Sequence, residues 1–367
     1  MLIQETNRIQ TFQTGEKKGM ETYLKKLLQV TGLVCCSLTS LSADSTSSAP
    51  TQMAVPPSPT PGESGPNVFI SADYTLWTAR ESGLAYAVSG CYDAPGSSAA
   101  EEGKVYYPEM KLRSGFKVDL GVYLPHDNWD LKAEYTWFNN NSNDYSSAGF
   151  TPGTAVATLG RDATTDLELL NSASSKWNVW FNRIDLTMGR SYFAGHYLSV
   201  RPFMGLLGAW DNQEFNTKST YASDSANFET ELKQKWWGVG AYGGVNATFI
   251  FSSDTSNQWS LFLDAGTALP WSRFNGSQTT VDTDAATYTV NTSNSNYLVT
   301  AMLETALGLR WETWWADGSW TFLLQAAWEE QVWFSHNNFT PAGTSGVGSG
   351  NGAYTMQGLT VKAAIAF

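Results

Sequence analysis

The sequence predicts an all-β protein, a single antiparallel transmembrane β-barrel of about ten strands, within eight to twelve, with long extracellular loops and short periplasmic turns. Three observations lead there. Residues 359–367 place Leu359, Val361, Ala363, Ile365 and Phe367 on one strand face and Thr360, Lys362, Ala364 and Ala366 on the other, and the chain stops on the aromatic. Such a strand offers one face to lipid and one to water, and Phe367 is read as the terminal aromatic of a barrel-assembly signal. Second, period-two segments recur from residue 67 onward, with gaps that alternate short and long. Third, charged residues are 15 % and aromatics 14 % of the chain, with 16 Trp, while mean hydropathy is slightly negative.

No apolar run reaches the roughly eighteen residues of a membrane helix, so a helical membrane protein is excluded. So many aromatics argue against disorder. A net charge of -12 with no Lys/Arg cluster argues against nucleic acid as a partner. Of the cysteines, Cys35 and Cys36 fall in a segment expected to be removed, which leaves Cys91 to pair only between molecules.

Residues 1–43 form the signal-peptide region of a Gram-negative secreted protein, with translation starting at Met1 or at Met20. Lys25 and Lys26 are the basic end, 27–41 the apolar stretch, and Leu41-Ser42-Ala43 the cleavage site. A retained helix and a lipid anchor at Cys35 or Cys36 are the weaker alternatives. Residues 44–66, rich in Ser, Thr and Pro, form a disordered leader, and 67–367 the barrel.

The strands follow in order. The first sends Val68, Ile70, Ala72, Tyr74 and Leu76 outward and Ser71, Asp73 and Thr75 inward. The second sets Phe116, Val118, Leu120, Val122 and Leu124 against Arg113, Lys117 and Asp119. After a short turn at 125–128, the third sets Trp129, Leu131, Ala133, Tyr135 and Trp137 against Asp130, Lys132 and Glu134. The same two-beat unit repeats at 176–189 and 197–210, 234–251 and 258–273, and 296–311 and 320–334, and residues 353–367 finish. Segments 83–90 and 104–110 could lengthen the first two strands. Long gaps near 80–103, 139–173, 211–233, 274–295 and 335–352 all fall on the outer side. A soluble β-sandwich would also alternate. Its core, however, would have to accept the charges opposite faces such as Leu261/Leu263/Leu269/Trp271. Glu330 shares parity with Trp328 and Val332, which calls for a bulge or a position above the lipid.

Several phrases, taken in order, resemble the Legionella-type major-outer-membrane-protein-like porin family, also found in chlamydia-related bacteria. They are residues 69–77 (FISADYTLW), 198–210 (LSVRPFMGLLGAW), 237–240 (WGVG), 306–311 (ALGLRW), 328–334 (WEEQVWF) and 359–361 (LTV). The resemblance covers about residues 67–367 and implies a pore-forming protein, with no catalytic or cofactor residue to carry over. One departure is that Cys91 alone cannot build the disulfide net of cysteine-rich chlamydial envelope proteins.

Enzyme chemistry is not expected. Some barrels are proteases or lipases, which need a His on the outer rim beside an acid or a Ser. His126 and His196 fall in periplasmic turns, and His336, on the outer rim, has no Asp neighbour in sequence. No metal or cofactor is expected, since no His/Cys/acid group has ligand spacing. Gly238, Gly240, Gly243 and Gly244 sit inside a strand and serve curvature or close packing, not phosphate binding.

By parity Asp73, Arg113, Lys117, Asp119, Lys132, Glu134, Arg183, Asp185, Arg201, Asp264, Glu304 and Arg310 line the lumen, as does Lys111. On separate walls they would set a transverse field across a wet pore; paired across a narrow lumen they would close it. Glu81, Asp93, Glu101, Glu102, Asp144, Asp162, Asp166, Glu168, Asp211, Glu214, Asp224, Glu229 and Glu231 make the outer loops acidic, which favours cations, divalent bridging to lipopolysaccharide, or a plain solvated surface. The expected function is an outer-membrane porin for passive diffusion of small hydrophilic solutes or ions, the alternative a non-enzymatic structural or adhesive surface barrel with a closed lumen. Expected partners are outer-membrane lipid and lipopolysaccharide, the barrel-assembly machinery, small hydrophilic solutes and, as an open question, further copies of the chain.

Overall fold

A computed structural model describes residues 68–90, 103–124, 129–141, 145–149, 155–157, 169–222, 227–282, 288–315, 319–339 and 352–367. The signal region, the leader, Cys91 and His126 lie outside them, as do the acids at 93, 101, 102, 144, 162, 166, 168 and 224.

The wall is made of β1 (Val68–Glu81), β2 (Arg113–Tyr123), β3 (Trp129–Asn140), β4 (Leu170–Arg190), β5 (Leu198–Tyr221), β6 (Asn227–Ser253), β7 (Asn257–Asp282), β8 in two segments (Tyr288–Val299 and Met302–Trp315), β9 (Trp320–Asn337) and β10 (Gly352–Ala366). Each strand pairs antiparallel with the next. β1 pairs with both β2 and β10, so the sheet closes on itself. The short strands Ala87–Ser89 and Lys104–Tyr106 pair with each other and lie outside this ring, so they do not lengthen the first two strands.

Outward faces carry an apolar band between two aromatic levels. On β7 the sequence runs from Trp259 through Leu261, Leu263 and Leu269 to Trp271, all exposed. A tilted strand of about twelve residues climbs roughly 30 Å, the depth of bilayer hydrocarbon. Leu120 is 56 % and Leu263 44 % exposed, the reverse of a soluble sandwich, where they would be core. Glu330 needs no bulge: the β9–β10 register is unbroken from Thr321 to Trp333, and Glu330 faces outward just beyond Trp328.

Strands β4 to β7 run well past the outer aromatic level, so much of the expected loops at 211–233 and 274–295 is strand. Beyond the membrane their outward residues, such as Asn212, Glu214 and Lys218, meet water, and the apolar alternation that marks a transmembrane strand disappears. The β8 wall also divides there. Both β8 segments pair with β7, but β9 pairs with the lower one alone, ending at Met302↔Trp333.

Candidate functional site

Antiparallel pleating aims every second side chain into the barrel, and with this many strands those side chains meet across the lumen. Their chemistry changes with height.

At the periplasmic end, the Phe69 ring lies over Gly121, where a Cβ would collide with it, and packs at 5.1 Å against Tyr123. Above it Arg201 on β5 pairs with Asp130 on β3 and donates to Asn246, whose amide donates to Asp264 at 2.9 Å. Arg310 on β8 donates to Gln325 and Thr248 and lies over Phe262.

The middle of the lumen holds a continuous charge network. Lys117 on β2 contacts Glu329 on β9, with Glu304 at 3.7 Å and Glu134 at 3.8 Å. Arg183 on β4 reaches Glu304 on β8 at 2.6 Å and its neighbour Asp185 at 2.8 Å, and its side chain is 1 % exposed. Lys132 holds Glu134 at 2.8 Å, and Lys362 on β10 bridges Asp119 and Asp73. Tyr242 donates to Glu304 at 3.2 Å. A cavity of about 90 Å³ lies among them, bordered by Asp73, Lys132, Asp185, Tyr242 and Glu304 among others.

Some of the expected lumen residues pair across the lumen, as Arg183 with Glu304, and others along one strand, as Lys132 with Glu134 and Arg183 with Asp185, while Asp264 and Arg310 bond to neutral side chains. Arg113 also faces inward, beside Trp77, with its Nε unpartnered. Lys111 is a correction: it precedes β2, is exposed and pairs with Glu109 at 2.9 Å. Glu329 and Lys362 were missing from the candidate set although parity opposite Trp328 and Val361 marks both as inward.

Beyond the membrane the inward residues become aromatic. Trp77, Phe138, Trp177, Phe181, Phe215, Trp236, Phe274, Trp333 and Tyr354 form one buried cluster. His336 sits inside it, with its ring 4.7 Å from Trp236 and 5.2 Å from Tyr354. Contrary to the sequence-based expectation, His336 has acidic partners, from strands far away in sequence. Its Nε2 lies 3.0 Å from Asp211 Oδ2 on β5, and its Nδ1 lies 3.5 Å from Glu81 Oε1 on β1 and 3.4 Å from Gln213. Both acids were expected in solvated loops and are buried instead. The Asp211 contact is electrostatic, without an aligned hydrogen bond. Burial alone would lower the His336 pKa; the Asp211 charge, with Glu81, outweighs it and raises the value to about 9. Burial pushes the Glu81 carboxyl up, against the pull of His336.

A bulge in the wall brings the chain to this position. Ser335 takes φ 54°, and the pairing with β10 slips after Trp333 and resumes at Asn337 opposite Gly352. Residues 336–339 also bond to β6 and β8. Gln234 on β6 donates to the His336 carbonyl at 3.1 Å, the Asn338 N–H donates to Gln234 at 2.7 Å, and Asn296 donates to Asn338 at 3.2 Å. This strap fills the place above the membrane where β8 and β9 part.

A sequence model of the family described as Legionella pneumophila major outer membrane protein precursor matches residues 74–367. The chain belongs to that family. It is an outer-membrane β-barrel protein. No curated protein matches it. Solved structures similar to this family member include the outer membrane protease OmpT from Escherichia coli, with 8 % identity, TM-score 0.39, and coverage of 82 % of this chain and 96 % of that one. The TodX deltaS2S3 mutant monoaromatic hydrocarbon channel has 9 % identity, TM-score 0.33, and coverage of 85 % and 93 %. The Ralstonia pickettii toluene transporter TbuX has 9 % identity, TM-score 0.27, and coverage of 83 % and 90 %.

Proposed function

We propose that this family member works as a non-enzymatic surface barrel whose lumen is closed at rest, in preference to an open diffusion porin. The observation that carries the reading is the pairing of inward charges across the lumen, with Arg183 1 % exposed between Asp185 and Glu304. Separating such pairs leaves buried charges uncompensated and costs several kcal/mol, about 3–5 for one broken pair. The aromatic cluster and strap above, and Phe69 with Tyr123 below, add further closures. What the barrel offers its surroundings is its wall and the extracellular ends of β4 to β7.

The porin reading draws on the pore-forming character that the family resemblance implies. It requires the charge network to part into two walls. Planar-bilayer recording of the folded protein separates the two: silence at neutral pH and moderate voltage supports the closed barrel, and frequent stepwise openings of the native protein support the porin. What supports the non-enzymatic part is the burial of the His336 side chain together with those of Asp211 and Glu81, each 0 % exposed. Proteolytic activity that disappears in His336→Ala would defeat it.

A further inference from the structure

The outward faces of β5 to β7 just above the membrane carry charges that the closed lumen does not use. Higher up, the cations there neutralise themselves: Lys218 pairs with Glu229 at 2.9 Å, and Lys233 with Glu231 at 2.8 Å. Lys235 and Arg273 differ. They are the first outward residues beyond Trp237 on β6 and Trp271 on β7, where the apolar band ends. The register sets Lys235 opposite Asn275 and Arg273 opposite Trp237, so the two cations are diagonal neighbours, about 7 Å apart by strand geometry. Lys235 is exposed and forms no ion pair among the described residues; across from it on either side stand Asn212 and Asn275, not carboxylates. Arg273 lies over the Tyr297 ring at 5.4 Å and touches Ser295, with no acid partner among the described residues. Beneath them Trp237, Trp271 and Tyr297 form a continuous ring cluster, with Trp271 stacked on Tyr297 at 5.2 Å.

From this we infer that Lys235 and Arg273 form a seat for the phosphorylated sugar headgroup of an outer-leaflet glycolipid. Phosphate at the headgroup level meets two adjacent cations without an acid partner among the described residues, and the Arg273 guanidinium, over the Tyr297 ring, offers its fork to phosphate oxygens. Asn212 and Asn275 supply amides to sugar hydroxyls, and the ring cluster packs against the first part of the acyl chains. Beyond Trp328 and Leu359, β9 and β10 present Glu330 and Gln357 outward instead of cations. The assignment is independent of whether the lumen conducts.

The test titrates the folded full-length chain in zwitterionic detergent with bisphosphorylated lipid A, following tryptophan fluorescence and the heat-induced mobility shift. Lipid A should bind and raise the unfolding temperature. Binding should weaken about tenfold or more in the double variant Lys235→Gln/Arg273→Gln and stay unchanged in Lys218→Gln/Lys233→Gln. With the native protein alone, added NaCl should weaken binding, and lipid A stripped of both phosphates should bind poorly, so the assignment is decidable even if a variant does not fold. Unchanged affinity in the double variant, equal binding of the dephosphorylated lipid, or equal binding of phosphatidylglycerol would each overturn it.

Discussion

Within the membrane band and above it, the same strands are built inside out from one another. On β6, Val239 and Val245 face outward while Asn246 faces the lumen; above the aromatic level Lys233 and Lys235 face outward while Leu232 and Trp236 face in. In lipid the outer face must be apolar, and polar residues are driven to the lumen, where a narrow interior obliges them to pair. In water the outer face is polar and the interior is an ordinary apolar β core. A closed barrel that outgrows its membrane therefore has two kinds of seal, one electrostatic and one hydrophobic, and the residues at their junction, such as Lys117 over the Trp77 ring at 5.1 Å, belong to both.

The contrast breaks most visibly at Arg183. Arg183→Ala leaves Asp185 and Glu304 buried together and should cost about 3–5 kcal/mol, read as a lowered heat-modifiability transition and new conductance steps. A variant as stable and as silent as the native protein would mean that the charges do not hold the lumen shut. Leu120→Arg, on the lipid face of β2, should cost about 2–4 kcal/mol by the bilayer term alone and leave the lumen silent, separating wall from seal.

In the extracellular half, Asp211→Asn should cost about 1–3 kcal/mol. The sign of its pH effect follows from His336. Its pKa is 6.5 ordinarily and about 9 in the fold, so its stabilising contribution is complete below about 6.5 and is lost as pH rises through 9. Glu81, with a raised pKa, also favours the folded state at lower pH. Hydrogen exchange of residues 335–339 should therefore accelerate above pH 9 in the native protein while the membrane band stays protected. In Asp211→Asn the onset should move to lower pH, because burial then dominates the His336 proton affinity; an unmoved onset would remove His336 from this role. Smallest of all, Lys218→Ala should change stability by only about 0.2–1 kcal/mol, since its pair with Glu229 is exposed.

The wall was readable because hydrocarbon imposes a strict rule on alternate residues. Faces such as Leu261/Leu263/Leu269/Trp271, and the inward set from Asp73 to Arg310, follow from parity alone. Above the membrane that rule lapses, and 211–233 read as loop although residues 211–221 complete β5 and 227–233 begin β6. The acidic partners of His336 are invisible in the sequence for a related reason. Its partners Glu81 and Asp211 are separated from it by most of the barrel in sequence, and only ring closure and the bulge at Ser335 bring them within reach.

Sequence by itself determined that this is a membrane barrel, which residues face lipid and which face inward, because a one-residue slip would turn the polar or charged side chains of the inner face into hydrocarbon. Tertiary structure alone decided what the inward residues do. Whether Arg183 and Glu304 line a channel or close it depends on how far apart β4 and β8 stand across the lumen, a distance set by strand number and shear and by no local pattern along the chain.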